Sequence, residues 1–143
     1  SFLDFLLSPA AGLDVDRKRV YVMGWAEGGD AALEVAGITP RRFAAVVAAS
    51  AHPPPSADAY RHFPMWLFHA KNDAVVNYAG VYDFFRGLGR HEGGAPDTDT
   101  HHFTLLEEAP SPIGKPGQIG HASGFAAFNT PYLYQWIMGF ALA

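Results

Sequence analysis

The chain has 143 residues, 49% of them apolar and 17% charged, with a formal net charge of -4. That is enough apolar material for one globular domain with its own core, and the charge balance argues against a disordered tail or a nucleic-acid-binding surface. The absence of cysteine excludes disulfides, and apolar runs such as Phe43 to Ala49 fall far short of the roughly 20 residues a membrane span needs.

In chain order, Ser1 to Leu7 reads as a helix already in progress, with Phe2, Leu3, Phe5, Leu6 and Leu7 on one face and an end near Ser8-Pro9. It carries no secretory signal, and a start without methionine reads as that of a fragment or a processed product. Asp14 to Lys18 is a charged turn leading into a strand over 19–23. A helix from about Glu27 to Ala36 follows, closed by Gly37 as a left-handed cap. Pro40-Arg41-Arg42 opens a strand over 43–49 that does not alternate, as expected of a strand buried on both faces of a parallel sheet. His52 to Pro64 is a proline-rich loop, Met65 to His69 the next buried strand, and Tyr78 to Leu88 a helix. Arg90 to Asp99 is a polar, glycine-bearing loop. His101 to Leu106 reads as a strand, Glu107 to Ile119 as a long proline- and glycine-rich connection, and Pro131 to Ala141 as an amphipathic helix. There is no internal repeat and no low-complexity tract. The alternation of strands and helices predicts right-handed crossovers and a mostly parallel, doubly wound α/β sheet.

The most informative stretch is Gly24-Trp25-Ala26-Glu27-Gly28-Gly29, where the first strand turns directly into an alanine-rich helix. That context is the nucleophile elbow of serine hydrolases, G-x-S-x-G, with alanine in place of the serine. A reversal this sharp strains its apex residue, so the neighbours must lack bulk. The apex side chain then stands above the sheet at a helix N-terminus, whose free N–H groups can bind an oxyanion. Without a hydroxyl, Ala26 cannot form an acyl-serine.

Four blocks carry a resemblance. Asp14 to Leu33 is similar to the elbow region of α/β-hydrolases, in the branch of predicted peptidases, polyhydroxybutyrate-depolymerase-like and feruloyl-type carboxylesterases, where the stretch reads roughly D-P-x-R-[IV]-Y-[VL]-x-G-x-S-x-G-G. Pro40-Arg-Arg-Phe-Ala-Ala-Val-Val resembles the strand after the elbow helix. Phe63-Pro-Met-Trp-Leu-Phe-His-Ala-Lys-Asn-Asp resembles the strand end P-[VI]-W-x-F-H-G-x-x-D that carries the acid. Gly120-His-Ala-Ser-Gly-Phe and the residues to Ile137 resemble G-H-x-S-W-x-x-A-Y-x-x-P-x-L-Y-x-W-[LI], which carries the histidine. The order elbow, acid, histidine is the family order. The resemblance implies an α/β-hydrolase fold with His121 as general base, Asp73 as its orienting carboxylate, and the backbone N–H of Glu27 in the oxyanion hole. Ala26 holds the nucleophile position. The chemistry implied is hydrolysis of a carboxylic ester or a peptide-like amide, with a small-molecule ester or acyl substrate and no cofactor or metal.

The same resemblance implies that residues 1–143 form one partial domain, from the elbow strand through the C-terminal helix. The family's first strands and its second oxyanion N–H precede the elbow. The missing half is expected to come from another chain, to be lost by processing, or to lie outside the structure, and its absence leaves an open hydrophobic strand edge. Three functions fit: a hydrolase whose nucleophile was replaced to trap a ligand, a natural pseudoenzyme serving as a binding or structural subunit, or an esterase cleaved into two chains.

Each residue also has a plainer reading. Asp73 after a buried strand could cap a helix, and His121 alone could be an ordinary loop histidine. Trp25 is expected to pack beside the elbow, and His69 to support the acid loop by packing or a hydrogen bond. His101 and His102, adjacent on a strand, point to opposite faces and are poorly placed to share a metal. His52-Pro-Pro-Pro reads as a rigid connector over the site rather than a polyproline ligand. Glu107-Glu108 reads as a solvated charge pair. Ser50 and Ser123 are the tempting substitute nucleophiles, but neither lies in an elbow.

Overall fold

Short runs of alanine, valine and aromatic residues build one parallel sheet. In the computed structural model, which describes residues 1–89 and 99–143, the strands are β1 (Tyr21–Trp25), β2 (Ala45–Ala49), β3 (Met65–Ala70) and β4 (His101–Leu106). They lie in the order β1-β2-β3-β4, every pair parallel, with Gly24 opposite Ala48, Ala49 opposite Phe68 and Phe68 opposite Thr104. Every residue of β2 and β3 is buried, whereas β1 is half-buried throughout and, among the described residues, pairs with β2 alone.

Strand side chains alternate between faces, and two cores result. Val46, Ala48, Met65 and Leu67 meet α2 (Glu27–Ile38) and α3 (Tyr78–Gly87) through Ala32, Leu33, Ala36, Val81 and Phe84. On the other face, Ala45, Val47, Ala49, Trp66 and Phe68 meet α4 (Ser123–Phe128) and α5 (Pro131–Met138) through Ala127, Leu133, Trp136 and Ile137. Helices on both faces of a parallel sheet make the fold a doubly wound α/β one, as the alternation predicts. At the N-terminal end α1 (Phe2–Leu6) is capped by Ser1 and Asp4 and buries none of its own residues.

Several boundaries differ from the sequence reading, each for a visible reason. The first strand lies two residues later than 19–23 and runs on to the turn at Trp25. Gly37 is not a left-handed cap: α2 continues through it to Ile38, with Thr39 as the cap residue. Glycine is required there for another purpose, since a Cβ at 37 would lie 2.3 Å from the Tyr60 hydroxyl. α5 stops at Met138 rather than Ala141, and carbonyls at and beyond its end are bonded by residues in and just before the first strand. Arg19 donates to Met138 O (2.7 Å) and Tyr21 Oη to Phe140 O (2.8 Å). The six-residue α4, rich in small residues, has no counterpart among the predicted elements. The loop expected over Arg90–Asp99 lies, except for Asp99, outside the described residues.

Candidate active site

At Ala26 the chain passes from β1 into α2 with no intervening loop. Its backbone sits at φ 53°, ψ -124°, a conformation that costs an L-residue about 1–3 kcal/mol. Neighbouring bonds hold it there: Ala26 N–H donates to Ala49 O (2.9 Å), and Asp30 N–H to Ala26 O (3.0 Å). Two of the three nearby glycines are sterically required. A Cβ at Gly24 would fall 1.9 Å from Gly28 O, and one at Gly29 would fall 2.9 Å from Ala51 Cβ. Gly28 faces open space, so the expectation that every neighbour must be small holds for Gly24 and Gly29 but not for Gly28. Glu27 opens the helix, and N–H groups of the first turn have no acceptor within the helix.

A second turn, between β3 and α3, presents Asp73. Its Oδ1 accepts the N–H groups of Val75 (2.9 Å) and Val76 (3.0 Å), fixing the carboxylate to its own turn. His121 Nδ1 lies 3.0 Å from Asp73 Oδ2 and 3.2 Å from Oδ1. A second imidazole reaches the same carboxylate from the strand: His69 Nε2 is 2.9 Å from Val76 O and 3.2 Å from Asp73 Oδ2. His69 is wholly buried, and burial pushes its pKa down against the opposing pull of the Val76 carbonyl and Asp73. Its Nδ1 has no hydrogen-bond partner. The carbonyl of Val76 can only accept, so His69 Nε2 donates to it, with the Asp73 carboxylate lying alongside.

The loop carrying His121 is placed by packing at both ends. Gly120, at φ 74°, lies against Asn72, where a Cβ would fall 2.3 Å from the Asn72 carbonyl oxygen. Asn72 in turn bonds the main chain of Ala109 twice, Nδ2 to O (3.0 Å) and Oδ1 from N–H (2.9 Å). On the far side Trp25 Nε1 donates to His121 O (2.8 Å). Gly124 lies against the Trp25 ring, with 2.7 Å left for any Cβ. Trp25 thus packs beside the turn, as the sequence suggests, and also ties β1 to the histidine loop.

Ala26, Glu27 and His121 line one cleft of about 650 Å³, together with Ser50, His52 and Phe125. Asp73 stands behind His121, so the four residues singled out in the sequence converge. Ser50 shares the positive backbone angle of Ala26 (φ 49°), but no helix follows it. Its buried hydroxyl is 2.6 Å from that of Ser123. His101 and His102 point to opposite sides of β4. His101 Nε2 is 3.1 Å from Tyr60 O, and His102 packs on Trp66 and Trp136. Glu107 pairs with Lys71 at the surface. A second carboxylate–imidazole pair at the cleft was not read from the sequence. His52 donates its backbone N–H to Asp30 Oδ1 (2.7 Å), and its Nδ1 lies 3.0 Å from Oδ2. The two residues are 22 positions apart, on a helix and a proline-rich segment, with no local pattern to link them.

No protein-family model matches the chain, and no curated protein matches it in sequence. Solved structures do. The chain is similar to a thermostable esterase (TM-score 0.77, 21% identity) over 98% of its own length and 35% of that chain. It is similar to an α/β-hydrolase enzyme from a Medee basin deep-sea metagenome library (TM-score 0.63, 18% identity), over 94% of this chain and 61% of that one. It also matches the esterase domain of a Rhodothermus marinus protein (TM-score 0.56, 19% identity), over 85% and 60%. The chain therefore spans about a third of the length of the first and three-fifths of the other two. These likenesses show the fold, which is that of the α/β-hydrolases. Among the described residues, no helix is long and apolar enough to cross a membrane.

Proposed function

We propose that the cleft is a serine-hydrolase-type site for a carboxylic ester or peptide-like bond whose nucleophile is replaced by Ala26, leaving the chain inactive or nearly so. The observation that carries this reading is the His121–Asp73 pair, 3.0 Å apart, opening on the same cleft as the strained turn at Ala26. Asp73 fixes the His121 proton on Nδ1, which leaves Nε2 as the base. With serine at 26, that base would take the hydroxyl proton as Oγ adds to the carbonyl carbon. The resulting oxyanion would meet the Glu27 N–H. Collapse would expel the alcohol, protonated by His121, and leave an acyl-serine for water to cleave. A second reading, a pseudoenzyme serving as a binding or structural subunit, draws support from Ala26 itself, which places a methyl group where the nucleophile would stand.

The test is an assay with a p-nitrophenyl ester on Ala26 and Ala26→Ser proteins. Restoring the nucleophile should raise kcat by on the order of a million-fold, the cost of losing a triad serine elsewhere, with a burst of phenol. Adding His121→Ala should abolish the gain. No gain with serine would overturn the esterase reading and favour the pseudoenzyme.

A further inference from the structure

The cleft at Ala26 continues past the site. Asp30 and His52 line it, and the same two residues line a second groove of about 510 Å³ between α2 and the 52–60 segment. Leu33 and Ile38 form one wall, Pro54 and its flanking prolines the other, and Tyr60 closes the floor. Long-range fit builds this groove. The Tyr60 hydroxyl donates to Leu33 O (2.8 Å) and occupies the space a side chain at 37 would need. Three consecutive prolines give the opposite wall a restricted backbone. Ile38, at the helix end, is 71% exposed, a large apolar side chain beside the groove with little protein covering it.

Charge narrows the choice of occupant. The charged side chains lining the groove are the carboxylates of Asp30 and Glu34, with His52 held against Asp30. There is no lysine or arginine among them to receive an anion. Apolar walls favour a hydrocarbon arm, and two carboxylates disfavour a negatively charged one.

We propose that the groove binds the long, uncharged hydrocarbon arm of an ester whose carbonyl sits at Ala26, with the His52–Asp30 pair at the junction. This rests on the esterase reading for the position of the carbonyl and adds the class of substrate: elongated neutral esters in preference to short or acid-terminated ones.

The full chain, with Ala26 in place, is titrated with ethyl acetate, ethyl octanoate and monoethyl suberate at neutral pH, following amide and indole N–H signals by NMR. Ethyl octanoate should shift both the Trp25 indole and the Gly37 and Ile38 amides, and ethyl acetate the Trp25 indole alone. Ile38→Glu should weaken ethyl octanoate at least fivefold relative to ethyl acetate. Glu34→Lys should raise the affinity for monoethyl suberate at least fivefold relative to ethyl octanoate. Unshifted Gly37 and Ile38 signals, or affinities indifferent to both substitutions, would overturn the groove assignment even if Ala26→Ser proves an active esterase. Groove binding with an inert Ala26→Ser protein would instead remove the esterase reading and leave a ligand site for neutral hydrocarbon chains.

Discussion

Two turns at the C-terminal end of the parallel strands meet at the cleft, and they are held by different forces. The turn after β1 is a steric object. Gly24 and Gly29 leave no room for a methyl group, Ala26 sits at positive φ, and its apex carries only a methyl group. The turn after β3 is a polar one, in which a single buried carboxylate is bonded by two backbone N–H groups and the His121 imidazole, with His69 3.2 Å away. The first is shape without a reactive atom; the second is a satisfied hydrogen-bond network around one charge. Shape is lost all at once when an atom is added, whereas a network weakens in proportion to the bonds removed.

The largest effect should therefore come from adding one carbon to the steric turn. Gly24→Ala places a methyl group within 1.9 Å of a carbonyl oxygen, and the expected cost exceeds about 4 kcal/mol, the range of exceptional substitutions. Thermal unfolding would show it as a collapsed or absent transition. A protein that melts normally would mean the β1–α2 turn can relax. Asp73→Ala should cost less, about 2–4 kcal/mol, because it strands two N–H groups and the His121 imidazole that were bonded to the carboxylate. Denaturant titration at constant m-value measures it, and a change under about 1 kcal/mol would mean water replaces the carboxylate.

A smaller, pH-dependent effect belongs to two histidines, one beside the polar turn and one on β4. Burial lowers the pKa of His69, and likewise that of His102 between its aromatic neighbours. Unfolded histidine takes up its proton near pH 6.5, so below that value the unfolded chain binds more protons and is favoured. Stability from these two residues is complete above about pH 6.5 and is lost as pH falls towards their folded values. Melting curves at pH 7.5 and pH 5 should show the decline, and a His69→Gln/His102→Gln protein should show a shallower one. An unaltered slope would place the responsible protons elsewhere. The smallest effect should be a gain. Ala26→Gly relieves the positive-φ strain and should stabilise the chain by about 1 kcal/mol, which the same melts would detect. A loss instead would mean the Ala26 methyl group packs usefully in the cleft.

What the sequence reveals follows the same division. Local signals worked where residue type and spacing dictate the outcome. The non-alternating run at 43–49 is buried throughout, though the strand itself covers only 45–49, and the glycines flanking Ala26 mark the sharp turn. Asp73 and His121, 48 positions apart, were legible only through the blocks around them. Gly37 misled because its smallness answers to Tyr60, 23 residues further on, and not to the helix end. The Asp30–His52 pair was missed for a similar reason: neither residue has a neighbour in sequence that announces the other. α4 was missed because a six-residue helix of small side chains, without a side-chain cap, gives almost no periodic signal.

The amide of Asn72 has one more consequence. The ladder between β3 and β4 runs out just before the site, its last rung being Lys71 N–H to Leu106 O (2.9 Å). Past the surface Lys71–Glu107 pair, the two segments are joined by a side chain with the shape and polarity of a peptide unit, giving and accepting at Ala109 as a strand residue would. The sheet thus reaches one step beyond its own backbone, and Asp73, the residue after this counterfeit rung, inherits the rigidity of a strand while sitting in a turn.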